Sequence, residues 1–350
     1  MMRMRDRRIN RWSRAVVAGL VAGLAAAAGL LGATEAAEPE RKSVDIHTAR
    51  DAQLASQLVI AQTKGFFREE GLDVQIKYFT AGSEIPPGMA AGSIVMASAG
   101  APNAISLAAA NFPMRVIAQM GDVAGAQGIV VRPQAGIRNP KDLEGKRMGI
   151  VKAGPALDLF GKFSRTYGVD QSKITMANML PPDLLTAFAK GDIDAYAVWE
   201  PYLTRGEQLG GKLLHTGTQS YIPGAEGPKR IFSMACVLFT LESFVKDNPN
   251  TTLAILRGLR KAQLFLDNPA NGEAVLEILT GPLNIPKPDL QKIMGRNRYQ
   301  LQIDDALLAS MDSQTEFLFS VGFLRSAPKA RTYVEPRFLR EVDPGLVKIQ

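Results

Sequence analysis

The stretch Asp183–Tyr202, DLLTAFAKGDIDAYAVWEPY, changes structural period twice. Leu184, Leu185, Phe188 and Ala189 recur at helical spacing, and Gly191 suits the left-handed residue that ends such a helix. Ile193, Ala195 and Ala197, with β-branched Val198, then read as a short buried strand. Trp199-Glu200-Pro201 follows at the strand's carboxyl end, with Pro201 suited to the first turn of the next helix. In an open α/β sheet that edge is where ligands bind, although a tryptophan in this pattern also fits a core plug.

A second copy of the unit lies ninety-nine residues upstream, where Ala90, Gly92 and Ile94 match Ala189, Gly191 and Ile193. Helix, glycine stop and apolar strand thus occur twice, and two α/β lobes of similar construction are the simplest account.

The 350 residues, 46% hydrophobic and 21% charged, suit two domains with sizeable cores. Residues 1–36 differ from the rest. Six arginines against Asp6 make a basic start, Ala15 to Ala33 is an unbroken apolar or glycine run, and Thr34-Glu35-Ala36 offers a cleavage site. A secretory signal peptide over 1–36 is expected. Arg7-Arg8 leaves twin-arginine export open, and the length of the apolar run leaves a retained membrane anchor as the rival. Without residues 1–36 the chain has 35 basic and 32 acidic side chains, too small an excess to imply nucleic-acid binding. Cys236, the single cysteine, excludes an internal disulfide and a lipid-anchored mature start, and FSMACVLF reads as a buried strand.

Along the remaining chain, Ser43–His47 reads as a strand and ARDAQLASQ as a polar turn before a helix from about Gln57 to Thr63. Gly71 opens another strand, and Ser98-Ala99-Gly100-Ala101-Pro102 is a small-residue turn at a helix start, where backbone N–H groups and the helix dipole favour negative charge. A tight packed turn fits equally. Met114–Met120 and Ile129–Val131 are strands separated by GDVAGAQG, the first expected crossover between lobes. Lys146–Val151 is a strand, and Lys152–Ala156 turns into a helix over Leu157–Tyr167, the counterpart of the Ser98–Pro102 turn. Phe232–Phe239 is the expected return crossing, and from Leu241 onward the chain turns helical, over Thr251–Leu266, Gly272–Leu279, Pro288–Met294 and Leu307–Val321.

Several chemistries are excluded. His47 and His215 are far apart with no cysteine partner, so a zinc site is not expected. Met96 stands where a nucleophile elbow around Ser98 needs glycine. GEQLGGK has P-loop spacing, but Leu213 replaces the magnesium-binding hydroxyl residue, and the segment reads as a helix end.

Lys64-Gly65-Phe66-Phe67, Gly71-Leu72-Asp73-Val74, Leu143 with Gly145 and Lys146, Gly191-Asp192-Ile193-Asp194-Ala195 and Trp199-Glu200-Pro201 occur in an order that resembles the periplasmic substrate-binding proteins of ABC transporters for sulfonates, taurine and nitrate. The resemblance covers roughly residues 43 to 325. It implies a two-lobe, type II periplasmic-binding fold. Each lobe would be a mixed sheet flanked by helices, with residues 43–126 plus 235–350 in one lobe, 127–234 in the other, and two crossover segments between. It further implies a periplasmic monomer that takes a ligand between its lobes and presents it to a membrane permease, with no cofactor and no chemistry. The implied ligand contacts are Arg50, Gln53 and Ser56, Gly100, Ala101, Pro102 and Asn103, Gln127 and Gly128, Gly154, Pro155 and Ala156, and Trp199 and Glu200. Sulfonate-binding relatives commonly carry Ser and Thr after the glycine of the second turn; Pro155 and Ala156 stand here, and Asp158 in the first helical turn would repel an anion. A small organic ligand with a polar or anionic group is therefore expected, sulfonate ahead of nitrate. The rivals are a membrane-tethered sensing or partner-binding module of the same fold and an enzyme resembling the thiamin pyrimidine synthase, which would need a cysteine-rich run that this chain lacks.

Overall fold

The two helix–glycine–strand units occupy equivalent central places in two separate seven-stranded sheets. The computed structural model describes residues 37–79, 82–151 and 155–350; the expected signal peptide and the Lys152–Gly154 part of the second turn lie outside the described residues.

The first sheet begins with β1 (Ser43–Ala49), β2 (Asp73–Phe79), β3 (Met96–Gly100) and β4 (Met114–Asp122). The helices α1 (Ala52–Thr63), α2 (Phe66–Glu69), α3 (Ile85–Ala90) and α4 (Ala101–Ala109) connect them. The chain then enters the second sheet through β5 (Gln127–Val131). β6 (Arg147–Ile150), α5 (Pro155–Tyr167), β7 (Thr175–Asn178), α6 (Pro181–Lys190), β8 (Ala195–Trp199), α7 (Tyr202–Gln208) and β9 (Lys212–Thr216) follow, and the two-residue strands β10 (Gln219–Ser220) and β11 (Gly227–Pro228) close that sheet. It returns through β12 (Ala235–Leu241), and the tail holds α8 (Glu242–Asp247), α9 (Pro249–Asp267), α10 (Gly272–Leu283), α11 (Lys287–Met294), β13 (Arg298–Asp304), α12 (Asp305–Ser320), α13 (Arg337–Val342) and β14 (Val347–Lys348).

The sheet orders are β14-β13-β4-β12-β3-β1-β2 and β11-β10-β9-β5-β8-β6-β7. β1 runs parallel to β2 and β3, as β6 does to β7 and β8. β12, arriving from the other lobe, pairs antiparallel with β3 and β4; β5 does the same with β8 and β9. Each lobe is thus a parallel half joined to an antiparallel strand delivered by a crossover. Gly92 (φ 75°) and Gly191 (φ 83°) end α3 and α6 in the left-handed region, where a side chain would be strained. That shared backbone requirement explains why the two copies keep glycine at the same place.

The main apolar cluster runs through both sheets, from Ile46, Met96 and Leu238 of the first to Ile150, Ala195 and Ala197 of the second. A smaller cluster, Val130, Leu184, Phe188, Tyr196, Val198 and Leu203 among its members, packs α6 and α7 onto the other face of the second sheet. At the first crossover, a β-carbon on Gly125 would collide with the Arg296 carbonyl, so only glycine lets the tail lie this close to the crossover.

Three expectations are corrected. α1 begins at Ala52, not near Gln57, because Gln53, Ser56 and Gln57 are buried polar residues of a helix whose partners lie far along the chain. Phe232 to Met234 is irregular, and the returning strand starts at Ala235. The helical tail is interrupted by a strand between its last two expected helices: RYQLQID forms β13, which buries Leu301 and Ile303 and pairs with β4.

Candidate functional site

The carboxyl end of β1 leads directly into α1, and Asp51 caps that helix by accepting the Leu54 N–H at 2.9 Å. Burial pushes the Asp51 carboxyl up to about 6, against the pull of the Leu54 and Gln53 amides. The preceding Arg50 lays its guanidinium 4.1 Å from the Tyr78 ring centroid and donates to the Pro282 carbonyl at 2.9 Å. Its charge is held in place by a ring and a carbonyl, with no carboxylate partner among the described residues.

Gln53, in the first turn of α1, joins the lobes. Its Nε2 donates to the Glu200 carbonyl at 2.9 Å, and its Oε1 accepts from Gln127 Nε2 at 3.1 Å. Gln127 and Gly128 open β5 opposite Trp199 and Val198 of β8. One side chain therefore ties the β1–α1 turn of the first lobe to the end of β8 and the start of β5 in the second. Ser56 is different: its hydroxyl donates to the Ala52 carbonyl at 2.7 Å beside the Tyr299 hydroxyl, facing the protein interior.

Gly100 precedes α4 in an extended conformation without a side-chain cap. Ala101 is buried, Pro102 and Asn103 are half-buried, and Asn103 turns its amide back toward the Gly100 carbonyl at 3.3 Å. A helix start leaves its first N–H groups without partners inside the helix, and at α4 Pro102 contributes none. In the other lobe Pro155 is half-buried and Ala156 buried at the start of α5, while Gly154 lies outside the described residues. Asp158 is buried and paired with Lys162 at 3.1 Å. Burial raises its pKa, opposed by Lys162, so the repulsion expected from this carboxylate is offset from within its own helix.

Trp199 is half-buried at the end of β8 and packs on the smaller apolar cluster together with Val151 and Met179. Glu200 is fully buried, and its carboxylate is spent within the protein. It accepts the Thr204 N–H and hydroxyl, each at 3.0 Å, and pairs with Arg296. Arg296 also binds Glu207 at 2.9 Å, Lys292 reaches Glu207 at 2.8 Å, and Gln208 donates to Asp289 at 2.8 Å. This network fastens α7 of the second lobe to α11 and the turn after it. Burial pushes the Glu200 carboxyl up against the pull of Arg296 and the Thr204 amide. Glu200 therefore acts as a fastening between lobes, and Arg296, in a turn of the tail, carried no strand-end signal by which the sequence would have revealed it.

The remaining candidate positions share one edge of each sheet: Arg50, Gln53 and Gly100–Asn103 at the ends of β1 and β3, and Pro155, Ala156 and Trp199 beyond β6 and β8. A groove of about 560 Å³ lies at the opposite edge of the first sheet, lined by Met89, Gly92, Phe112, Leu241 and Lys246 among others. Among the described residues no group of His, Cys, Asp or Glu is arranged to hold a metal ion, and no helix is long and apolar enough to cross a membrane.

Comparison with known proteins gives a consistent result. Residues 55–271 match the NMT1/THI5-like family. A putative aliphatic sulfonates-binding protein of Bacillus subtilis is 25% identical over 300 residues, covering 83% of this chain and 85% of the relative. The taurine-binding periplasmic protein of Escherichia coli is 24% identical over 268 residues, covering 74% and 79%. The alkanesulfonate-binding protein SsuA of Xanthomonas axonopodis pv. citri, solved with bound MOPS, superposes with a TM-score of 0.69 at 19% identity, covering 86% of this chain and all of that one. The fold is that of these two-lobe binding proteins, and the chain belongs to the NMT1/THI5-like family.

Proposed function

We propose that this chain captures a small organic anion between its two lobes and delivers it to the permease of an ABC transporter outside the cytoplasm. In this reading residues 43–126 with 235–350 form one lobe and 127–234 the other, the protein acts as a monomer, and no chemistry is performed. The observation that carries it is the Gln53 bridge. That bridge brings the carboxyl end of β1 to that of β8, and such strand ends are the edge at which open α/β sheets bind ligands. Arg50, Gln53, Gly100–Asn103, Gln127, Gly128, Pro155, Ala156 and Trp199 are the proposed contacts. Sulfonate ranks ahead of nitrate because the proposed contacts include a stacked arginine and an indole ring as well as backbone donors. The relatives that bind sulfonates and taurine support this ligand class.

Binding without chemistry also agrees with Cys236. Its thiol is buried, contacts the Ser98 hydroxyl at 3.4 Å and is pushed by burial up to about 12, so it offers no thiolate nucleophile. The test is a thermal-shift and tryptophan-emission survey of the protein lacking residues 1–36, in which Trp199 is the only tryptophan. Sulfonates, carboxylates, taurine and nitrate would be compared. A saturable emission change with a matching rise in Tm for an organic anion is expected. No shift with any of them would overturn the proposal.

A further inference from the structure

α11 has two faces of different chemistry. Leu290 and Ile293 are buried in the main apolar cluster, where the helix packs against α1 of the first lobe. Asp289, Lys292 and Arg296 follow one another at spacings of three and four, and Gly295 keeps a helical backbone, so these three share a second face. Glu200, Thr204, Glu207 and Gln208 repeat that spacing along α7 of the second lobe. The two stripes meet with opposite sign. Glu200 and Glu207 face Arg296 and Lys292, and Gln208 donates to Asp289 at the far end.

Burial falls along the stripe with distance from the first crossover. Arg296 lies against that crossover, where its carbonyl is what a β-carbon on Gly125 would strike, and its pair with Glu200 is almost wholly buried. One turn outward, the side chains of Lys292 and Glu207 are 44% and 24% exposed. Asp289 stands roughly 10 Å of helix rise from Arg296, and its partner Gln208 is exposed.

Hydrocarbon faces resist separation because parting them exposes them to water, whereas charged and amide groups exchange one another for water; contacts between bodies that move are accordingly the more polar kind. We propose that the α7–α11 stripe is a reversible latch: the lobes part by releasing Lys292 from Glu207 and Gln208 from Asp289, and they turn about the buried Arg296–Glu200 pair beside the crossover. Glu200 ties the latch to the candidate ligand edge, since its carboxylate holds Arg296 while its carbonyl accepts the Gln53 amide. The inference rests on the two-lobe division in the proposed function and not on the ligand.

Small-angle X-ray scattering of the protein lacking residues 1–36, without any organic anion, tests this on the parent, on Lys292→Met/Gln208→Ala and on the charge reversal Lys292→Glu. At about 0.05 M sodium chloride both variants should have a larger radius of gyration than the parent, by on the order of 1 Å against about 20 Å for a compact chain of this length. Raising the salt to about 1 M should move the parent toward the variants and change the double variant little. Because the substituted side chains lie at the wet end of the stripe, the variants should melt within about 2 °C of the parent. Equal radii for parent and variants at low salt, or a parent radius indifferent to salt, overturns the latch. A larger radius that comes only with a lower melting temperature reports a loosened fold and overturns it too. Silence of every anion in the binding survey would remove the proposed solute capture and leave the scattering result unaffected.

Discussion

Replacing Arg296 with methionine should be among the most damaging single changes in this protein. The Glu200 side chain has 0% exposure and that of Arg296 12%, so their ion pair is almost wholly removed from water. Without the guanidinium, Glu200 keeps only the Thr204 N–H and hydroxyl, while Glu207 keeps Lys292. Breaking one partner out of a buried pair costs about 3–5 kcal/mol, because the other charge stays buried and uncompensated. Glu200 has an escape, since burial already pushes its carboxyl up and protonation would relieve the charge. The loss in Arg296→Met should therefore be larger at pH 8 than at pH 5. Removing both charges in Glu200→Gln/Arg296→Met should recover most of it, to within about 1 kcal/mol of the parent. Urea unfolding followed by circular dichroism at both pH values measures these differences through the midpoint. A single-variant loss below about 1 kcal/mol, or a double variant no better than Arg296→Met, would refute the reasoning.

Three further outcomes follow from the same structure. Asp51→Asn keeps an oxygen to cap Leu54 but removes a carboxyl raised from 3.8 to about 6; the folded chain holds the extra proton between those values, so ionisation above them costs stability. The variant should gain roughly 2–3 kcal/mol at pH 8 and nothing at pH 4, and a gain independent of pH in thermal melts would contradict this. His215 is buried between Phe163 and Tyr167 with Nδ1 facing the Thr216 carbonyl and Nε2 without a partner among the described residues, and burial, aided by Lys229, lowers its pKa. The unfolded chain takes up the proton first on acidification, so stability falls below about pH 6.5, and His215→Phe should flatten that fall; parallel stability curves would rule it out. Glu40 caps α9 from 210 residues away, accepting the Asn250 and Thr251 N–H groups at 3.1 and 2.9 Å. Partial burial opposes it, yet those amides hold its carboxyl below the usual range, and Glu40→Ala should cost about 1 kcal/mol at pH 7 and progressively less below about pH 4.5 in thermal denaturation.

The fold was legible wherever the chain signals its structure locally. Gly92 and Gly191 each require a left-handed backbone, and the strands that follow them are apolar enough to be buried. What escaped depends on partners distant in sequence. Gln53, Ser56 and Gln57 look like loop residues until Gln127, Tyr299 and Gln263 are placed against them, 74, 243 and 206 residues away. Glu200 reads as a ligand group because it sits at a strand end, and only the fold brings Arg296 to it. β13 was missed because its alternation of Tyr299, Leu301 and Ile303 lies in a tail dominated by helical spacing.

A crystal structure with a bound aromatic sulfonate would test the central claim most directly. The account predicts density between the carboxyl ends of β1 and β3 and those of β6 and β8, with Arg50 and Trp199 within contact distance. A ligand seated instead in the groove by Met89, Phe112 and Lys246, with the lobe-facing edges unchanged, would contradict it.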